Sequence, residues 1–90
     1  MKKRFSLKIY GNVQDVNFRY QAQQKAARLN LTGFVRNQPD GSVYAEVEGE
    51  EDDLQEFLTW CRQGPSFAAV KKVEQEEEPL INDKTFEIRL

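Results

Sequence analysis

The chain contains no histidine. That removes the imidazole base of Ser-His-Asp and Cys-His nucleophile systems, zinc-binding helices built on paired histidines, and imidazole metal ligands in general. Cys61 stands alone, so an internal disulfide framework and a CxxC site are both excluded. No apolar run approaches the roughly 20 residues a membrane-spanning helix requires. The opening Met-Lys-Lys-Arg is followed by Phe-Ser-Leu-Lys-Ile-Tyr-Gly, where Ser6 and Lys8 interrupt any apolar stretch, so a secretory signal is not expected. Internal repeats, low-complexity tracts and linkers are missing too. What remains for chemistry is carboxylates, amides, lysine, arginine and the backbone, in a reduced and cytoplasmic setting.

What is present fits one folded domain spanning residues 1–90. The 90 residues are 39% hydrophobic and 31% charged, and a chain of this size buries about 60–65% of its unfolded surface, enough for one core. The net charge of −2 conceals an asymmetry. Residues 1–36 carry eight bases and a single acid, Asp15, whereas residues 37–90 carry five bases and fourteen acids. The basic part points to an anionic ligand. The overall pI near 5.2 argues against a general nucleic-acid binder. No sequence segment advertises an apolar interface, and a monomer is expected.

Phe5, Leu7 and Ile9 alternate with Ser6, Lys8 and Tyr10, which predicts a half-buried strand ended by Gly11. From Phe18 the period changes: Phe18, Ala22, Ala26 and Leu29 form one helical stripe, with Asn17 as its expected N-cap. Phe34–Asn37 and Val43–Glu48 flank Gln38-Pro39-Asp40-Gly41, a turn in which proline presets φ and glycine supplies positive φ. This predicts a hairpin with Val43, Ala45 and Val47 inward and Tyr44, Glu46 and Glu48 outward. Acidic residues 50–53 suit a helix N-terminus, and Leu54, Phe57, Leu58 and Cys61 give that helix an apolar face. Residues 68–77 read as a strand whose Val70 and Val73 are out of phase, the mark of a bulge or an edge. Phe86, Ile88 and Leu90 close the chain with a short strand. The order β-α-β-β-α-β predicts an α+β, ferredoxin-like sandwich, a mostly antiparallel sheet with two helices on one face.

Because that architecture serves many functions, the informative segment is Gly11-Asn12-Val13-Gln14-Asp15-Val16-Asn17-Phe18-Arg19. It leads from a strand end through a short loop into a helix N-terminus, where backbone amides and the macrodipole converge on anions. Arg19 adds an always-charged fork suited to phosphate or carboxylate.

At these residues the chain resembles the acylphosphatase family. That family shows a glycine, then Val-Gln-Gly-Val, a variable residue and Phe-Arg, matched here by Gly11, Val13, Gln14, Val16, Phe18 and Arg19. Its second motif, on the hairpin, is matched by Gly33, Val35, Asn37, Asp40 and Gly41. The likeness covers essentially the whole chain. It implies hydrolysis of a carboxyl-phosphate anhydride of a small-molecule acyl phosphate, with no cofactor, metal, nucleic acid or membrane involved. It also implies Arg19 as ligand of the phosphoryl oxygens and Asn37 as the residue that orients the attacking water. The amides of Gln14, Asp15, Val16, Asn17, Phe18 and Arg19 would cradle the phosphoryl group.

One position departs from the pattern. Asp15 stands where the family has its second loop glycine. Aspartate tolerates the left-handed region better than most residues, so the loop is expected to form. Its carboxylate would oppose the phosphate and, four residues before Arg19, could pair with that side chain. The alternative this raises is a catalytically weak or inactive anion-binding module. An RNA-recognition fold needs outward aromatics on its central strands, and Tyr10 and Tyr44 alone meet that need. Cys61 is expected to be core packing, Asp40 to belong to the turn, and Glu74–Glu78 to form a solvated face.

Overall fold

The computed structural model describes residues 1–90. Strand β1 (Lys2–Asn12) is followed by helix α1 (Phe18–Arg28), strands β2 (Thr32–Asn37) and β3 (Val43–Glu50), helix α2 (Glu51–Gln63), strand β4 (Ala69–Glu78) and strand β5 (Phe86–Arg89). The sheet order is β4-β1-β3-β2-β5, antiparallel throughout except that β5 joins β2 in parallel. The expected succession is present. The boundaries differ most at β1, which runs on through Gly11 because that residue sits at φ +131, a conformation open to glycine. A side chain there would meet the Ala69 carbonyl oxygen at 2.1 Å, so glycine is what lets β4 pass. The pairing of β1 with β4 shifts register at this same point, between Tyr10 and Gly11. That shift at an edge strand accounts for the broken phase of Val70 and Val73.

Both helices lie on one face and meet through Trp60, whose ring stands 5.5 Å from Phe18 and 5.7 Å from Phe57. Alternation puts Leu7 and Ile9 of β1 and Val43, Ala45 and Val47 of β3 under them, all essentially inaccessible. The helical stripes close the core from above: Phe18, Ala22 and Ala26 from α1, and Leu54, Phe57, Leu58 and Cys61 from α2. Burial pushes the Cys61 thiol up, so the sulfur is an inert packing group.

The opposite face of the sheet is not simply solvated. Glu48, expected on the outward face, is 1% exposed, as is Arg4. The segment between β4 and β5 crosses this face and covers them. The amides of Ile81 and Asn82 donate to the Glu48 carboxylate at 2.8 and 2.9 Å. Arg4 donates to Glu46 at 2.8 Å, to Glu48 at 3.2 Å and to Asp83 at 2.9 Å. Phe34 also faces this side, 6.0 Å from Tyr44, which completes an outward aromatic pair that alternation in β2 did not reveal. Guanidinium groups lie over those rings: Arg36 stands 4.9 Å from the Tyr44 centroid and Arg89 stands 3.9 Å from that of Phe34.

Candidate active site

The cleft lies where the ends of β1, β2 and β5 meet the start of α1. It measures about 320 Å³ and is lined by Val13, Asp15, Asn17, Phe18, Arg19, Tyr20, Asn37 and Ile88. Val13 and Phe18 are buried and form its floor. Asp15 and Asn17 both adopt φ +61. Two left-handed residues so close together curl the loop into a concavity of amides, the geometry of a backbone anion nest. Aspartate has therefore taken the left-handed conformation that glycine would adopt at no steric cost.

Asn17 does precede the helix, but it does not cap it. A side-chain cap needs an extended N-cap residue, and at φ 61, ψ 24 the Asn17 side chain makes no capping bond. The first-turn amides are left unspent as a result. From Gln14 to Tyr20 no backbone N–H donates to a protein acceptor; the first that does is Gln21, to the Asn17 carbonyl at 3.0 Å. Seven consecutive donors at a helix N-terminus, with no acid in the first helical turn, make a positive surface out of backbone alone.

Arg19 is half-buried, and its Nη1 donates to the Arg89 carbonyl at 3.1 Å. That bond anchors one corner of the fork to β5. Asp15 does not pair with Arg19; none of the ion pairs of the chain includes Asp15. Asn37 ends β2, where it pairs with Val43, and its carboxamide makes no hydrogen bond within the chain. Gln14 and Val16 do not line the cleft. Val16 packs on the core. Gln14 donates through Nε2 to the carbonyls of Gln38 at 2.8 Å and Ser42 at 2.9 Å, tying the 14–19 loop to the turn beside Asn37. The turn is itself held by Asp40, which accepts from the Ser42 amide at 3.0 Å and from its hydroxyl. Those two bonds, together with Lys8, lower the Asp40 carboxyl to about 2. Asp40 is thus a turn residue, as expected.

Tyr20 and Ile88 are the cleft residues that sequence reasoning missed. Tyr20 follows Arg19 in the first turn and reads there as an exposed helix position. Ile88 reaches the cleft because β5 runs parallel to β2, with Ile88 opposite Val35. Alternation alone cannot report that a closing strand pairs in parallel.

Asp15 is exposed on the cleft wall. Asp15→Gly is expected to lower the inhibition constant of inorganic phosphate by about 3- to 10-fold, since a carboxylate near ~6 Å opposes a phosphate charge even in high dielectric. Phosphate inhibition measured for both proteins at low ionic strength checks this, and an unchanged constant means Asp15 acts only through loop geometry.

A family model described as Acylphosphatase matches residues 5–88. An acylphosphatase of Geotalea uraniireducens is 50% identical over 76 residues, which cover 84% of each chain. Among solved structures, an acylphosphatase from Coxiella burnetii superposes with a TM-score of 0.94 at 34% identity, covering 98% of this chain and 93% of that one. An acylphosphatase from Bacillus subtilis gives a TM-score of 0.94 at 33% identity over the full length of both chains. Nothing in these likenesses favours a non-hydrolytic anion-binding module over hydrolysis.

Proposed function

The chain belongs to the acylphosphatase family, and from that premise we propose that the cleft between the 14–19 loop, Asn37 and β5 is where it hydrolyses acyl phosphates. Water attacks phosphorus, the bond from phosphorus to the acyl oxygen breaks, and the products are a carboxylate and inorganic phosphate. The observation that supports this placement is that Asp15, Asn17, Phe18, Arg19 and Tyr20, whose amides have no acceptor within the chain, share one cleft with Asn37. The free amides and the guanidinium hold the phosphoryl oxygens and stabilise the charge that spreads over them in the transition state.

The leaving carboxylate departs as a stable anion and needs no proton from the chain. A strong base is therefore dispensable. Asn37 accepts from and donates to the water and so fixes its approach. The proton the water gives up passes to an oxygen of the transferring phosphoryl group. The chain acts in this reading as one unit from residue 1 to 90, as a monomer, on a small-molecule substrate. Nucleic acid and membrane have no part in it.

The test compares acetyl phosphate hydrolysis by the wild-type chain and by Asn37→Ala. A misplaced water costs about 10²-fold in rate, and because Asn37 does not hold the phosphoryl group, the loss is expected in kcat with KM little changed. A loss confined to KM would move Asn37 from the water to the substrate.

A further inference from the structure

The polar elements of the cleft are accounted for by the phosphoryl group and the water, which leaves the acyl group without an assigned surface. Two cleft residues have side chains that belong neither to the floor nor to the polar set: Tyr20, 57% exposed, and Ile88, 37% exposed. We propose that Tyr20 and Ile88 form the acyl subsite, an apolar wall that favours substrates with a bulky apolar or aromatic acyl group over acetyl phosphate. The inference rests on the hydrolytic reading of the cleft and deepens it.

The wall is held in place rather than merely exposed. Helix α1 is pinned to β5 on both sides of Ile88: Gln23 Nε2 donates to the Phe86 carbonyl at 3.2 Å, and Arg19 Nη1 donates to the Arg89 carbonyl at 3.1 Å. Tyr20 follows Arg19 on α1, one helical step round from the face that makes those bonds, and lines the cleft from there. On the sheet side, Ile88 is fixed opposite Val35 by strand pairing. An apolar surface whose backbone is already ordered gives up little conformational freedom when a substrate covers it. Arg19 belongs to both constructions, with one corner on β5 and the rest of its fork toward the cleft, so the acyl wall keeps a fixed distance from the phosphoryl cradle. Scattered exposed apolar residues are ordinary on protein surfaces; two on the rim of a reaction cleft, clamped to the arginine beside it, meet whatever the phosphoryl group carries.

The experiment measures kcat/KM for acetyl phosphate and benzoyl phosphate with the wild type, Tyr20→Ser, Ile88→Ser and Ile88→Leu, and the inhibition constant of inorganic phosphate for each. The benzoyl-to-acetyl ratio is expected to fall about 5- to 10-fold in each serine variant, the lower end of what one apolar contact contributes in a specificity pocket. Ile88→Leu is expected to retain the ratio, and phosphate inhibition to stay level across the series, because that ion carries no acyl group. A ratio unchanged in both serine variants overturns the proposal. So does an equal loss on both substrates, which would make the wall a support for Arg19 and not an acyl contact. A wild type inert on both substrates is a different failure, overturning the hydrolytic reading and the subsite with it.

Discussion

Arg19→Ala is expected to lower kcat/KM for acetyl phosphate by about 10³-fold, the upper range for removing one preorganised donor from a reacting centre. The size of the effect follows from what the side chain replaces. The amides of residues 14–20 supply partial charges only, and Arg19 is the sole cationic side chain lining the cleft. Its position is also set in advance by the bond to the Arg89 carbonyl, so no reorganisation is needed when charge moves onto the phosphoryl oxygens. Arg19→Lys is not expected to restore activity. An ammonium is a point charge without the planar fork, and it cannot hold the β5 carbonyl and two phosphoryl oxygens together. Steady-state kinetics of both variants check this, with thermal unfolding as a control for folding. A half-exposed arginine serving only as a surface group would leave both variants within a few-fold of wild type.

Arg4→Met is expected to destabilise the fold by about 3–5 kcal/mol at pH 7, the usual cost of stripping the partner from a buried charge. Methionine fills the space but leaves Glu46, Glu48 and Asp83 converging without a cation, and of these Glu48 is fully enclosed. The effect depends on pH with a definite sign. Burial by itself would raise the Glu48 carboxyl, but the Ile81 amide, Arg4 and the Asn82 amide outweigh it, and its pKa is lowered from the ordinary value of 4.5. A folded-state pKa below the unfolded one contributes stability that is fully present above about pH 4.5 and is lost as pH falls through the folded value. In the wild type, then, stability declines on acidification. In Arg4→Met the remaining burial and the neighbouring carboxylates favour the protonated acid, so the gap between variant and wild type narrows as pH is lowered. Urea unfolding at pH 7 and pH 4 measures both terms. Arg4→Met combined with Glu48→Gln is expected to lose less than the two single losses added together, since the neutral amide needs no cation. A constant gap at both pH values would mean that methionine is simply a poor fit.

The residues that were legible beforehand share a property: their role is written in local pattern. Leu54, Phe57, Leu58 and Cys61 fall at helical spacing and are buried together. Asp15 occupies a left-handed position because the loop needs one there, whatever residue stands in it. Asn17 shows where local pattern misleads. Its type and place suggest a cap, but the curled loop holds it at positive φ, and in that conformation its side chain makes no capping bond. Glu48 shows the second way. Alternation assigned it to the correct face, but nothing in β3 could report that residues 79–83 lie over that face and bury it. Ile88 failed for the same reason, through a parallel partner 53 positions away. Period and residue type carry the near contacts. Long-range coverage decides the rest.

The parallel seat of β5 on β2 also has a consequence in time. Antiparallel neighbours such as β2 and β3 close through a turn of a few residues, whereas Gly33 and Phe86 meet only after more than half of the chain has been brought back on itself. Loop-closure entropy places such contacts late in folding. The amide nest and the hairpin can assemble early, but the carbonyl that steadies Arg19 arrives with the last strand. A refolding chain is therefore expected to form its hairpin before it regains catalysis, because the strand that finishes the sheet brings both the last core aromatic, Phe86, and the carbonyl beside Arg19.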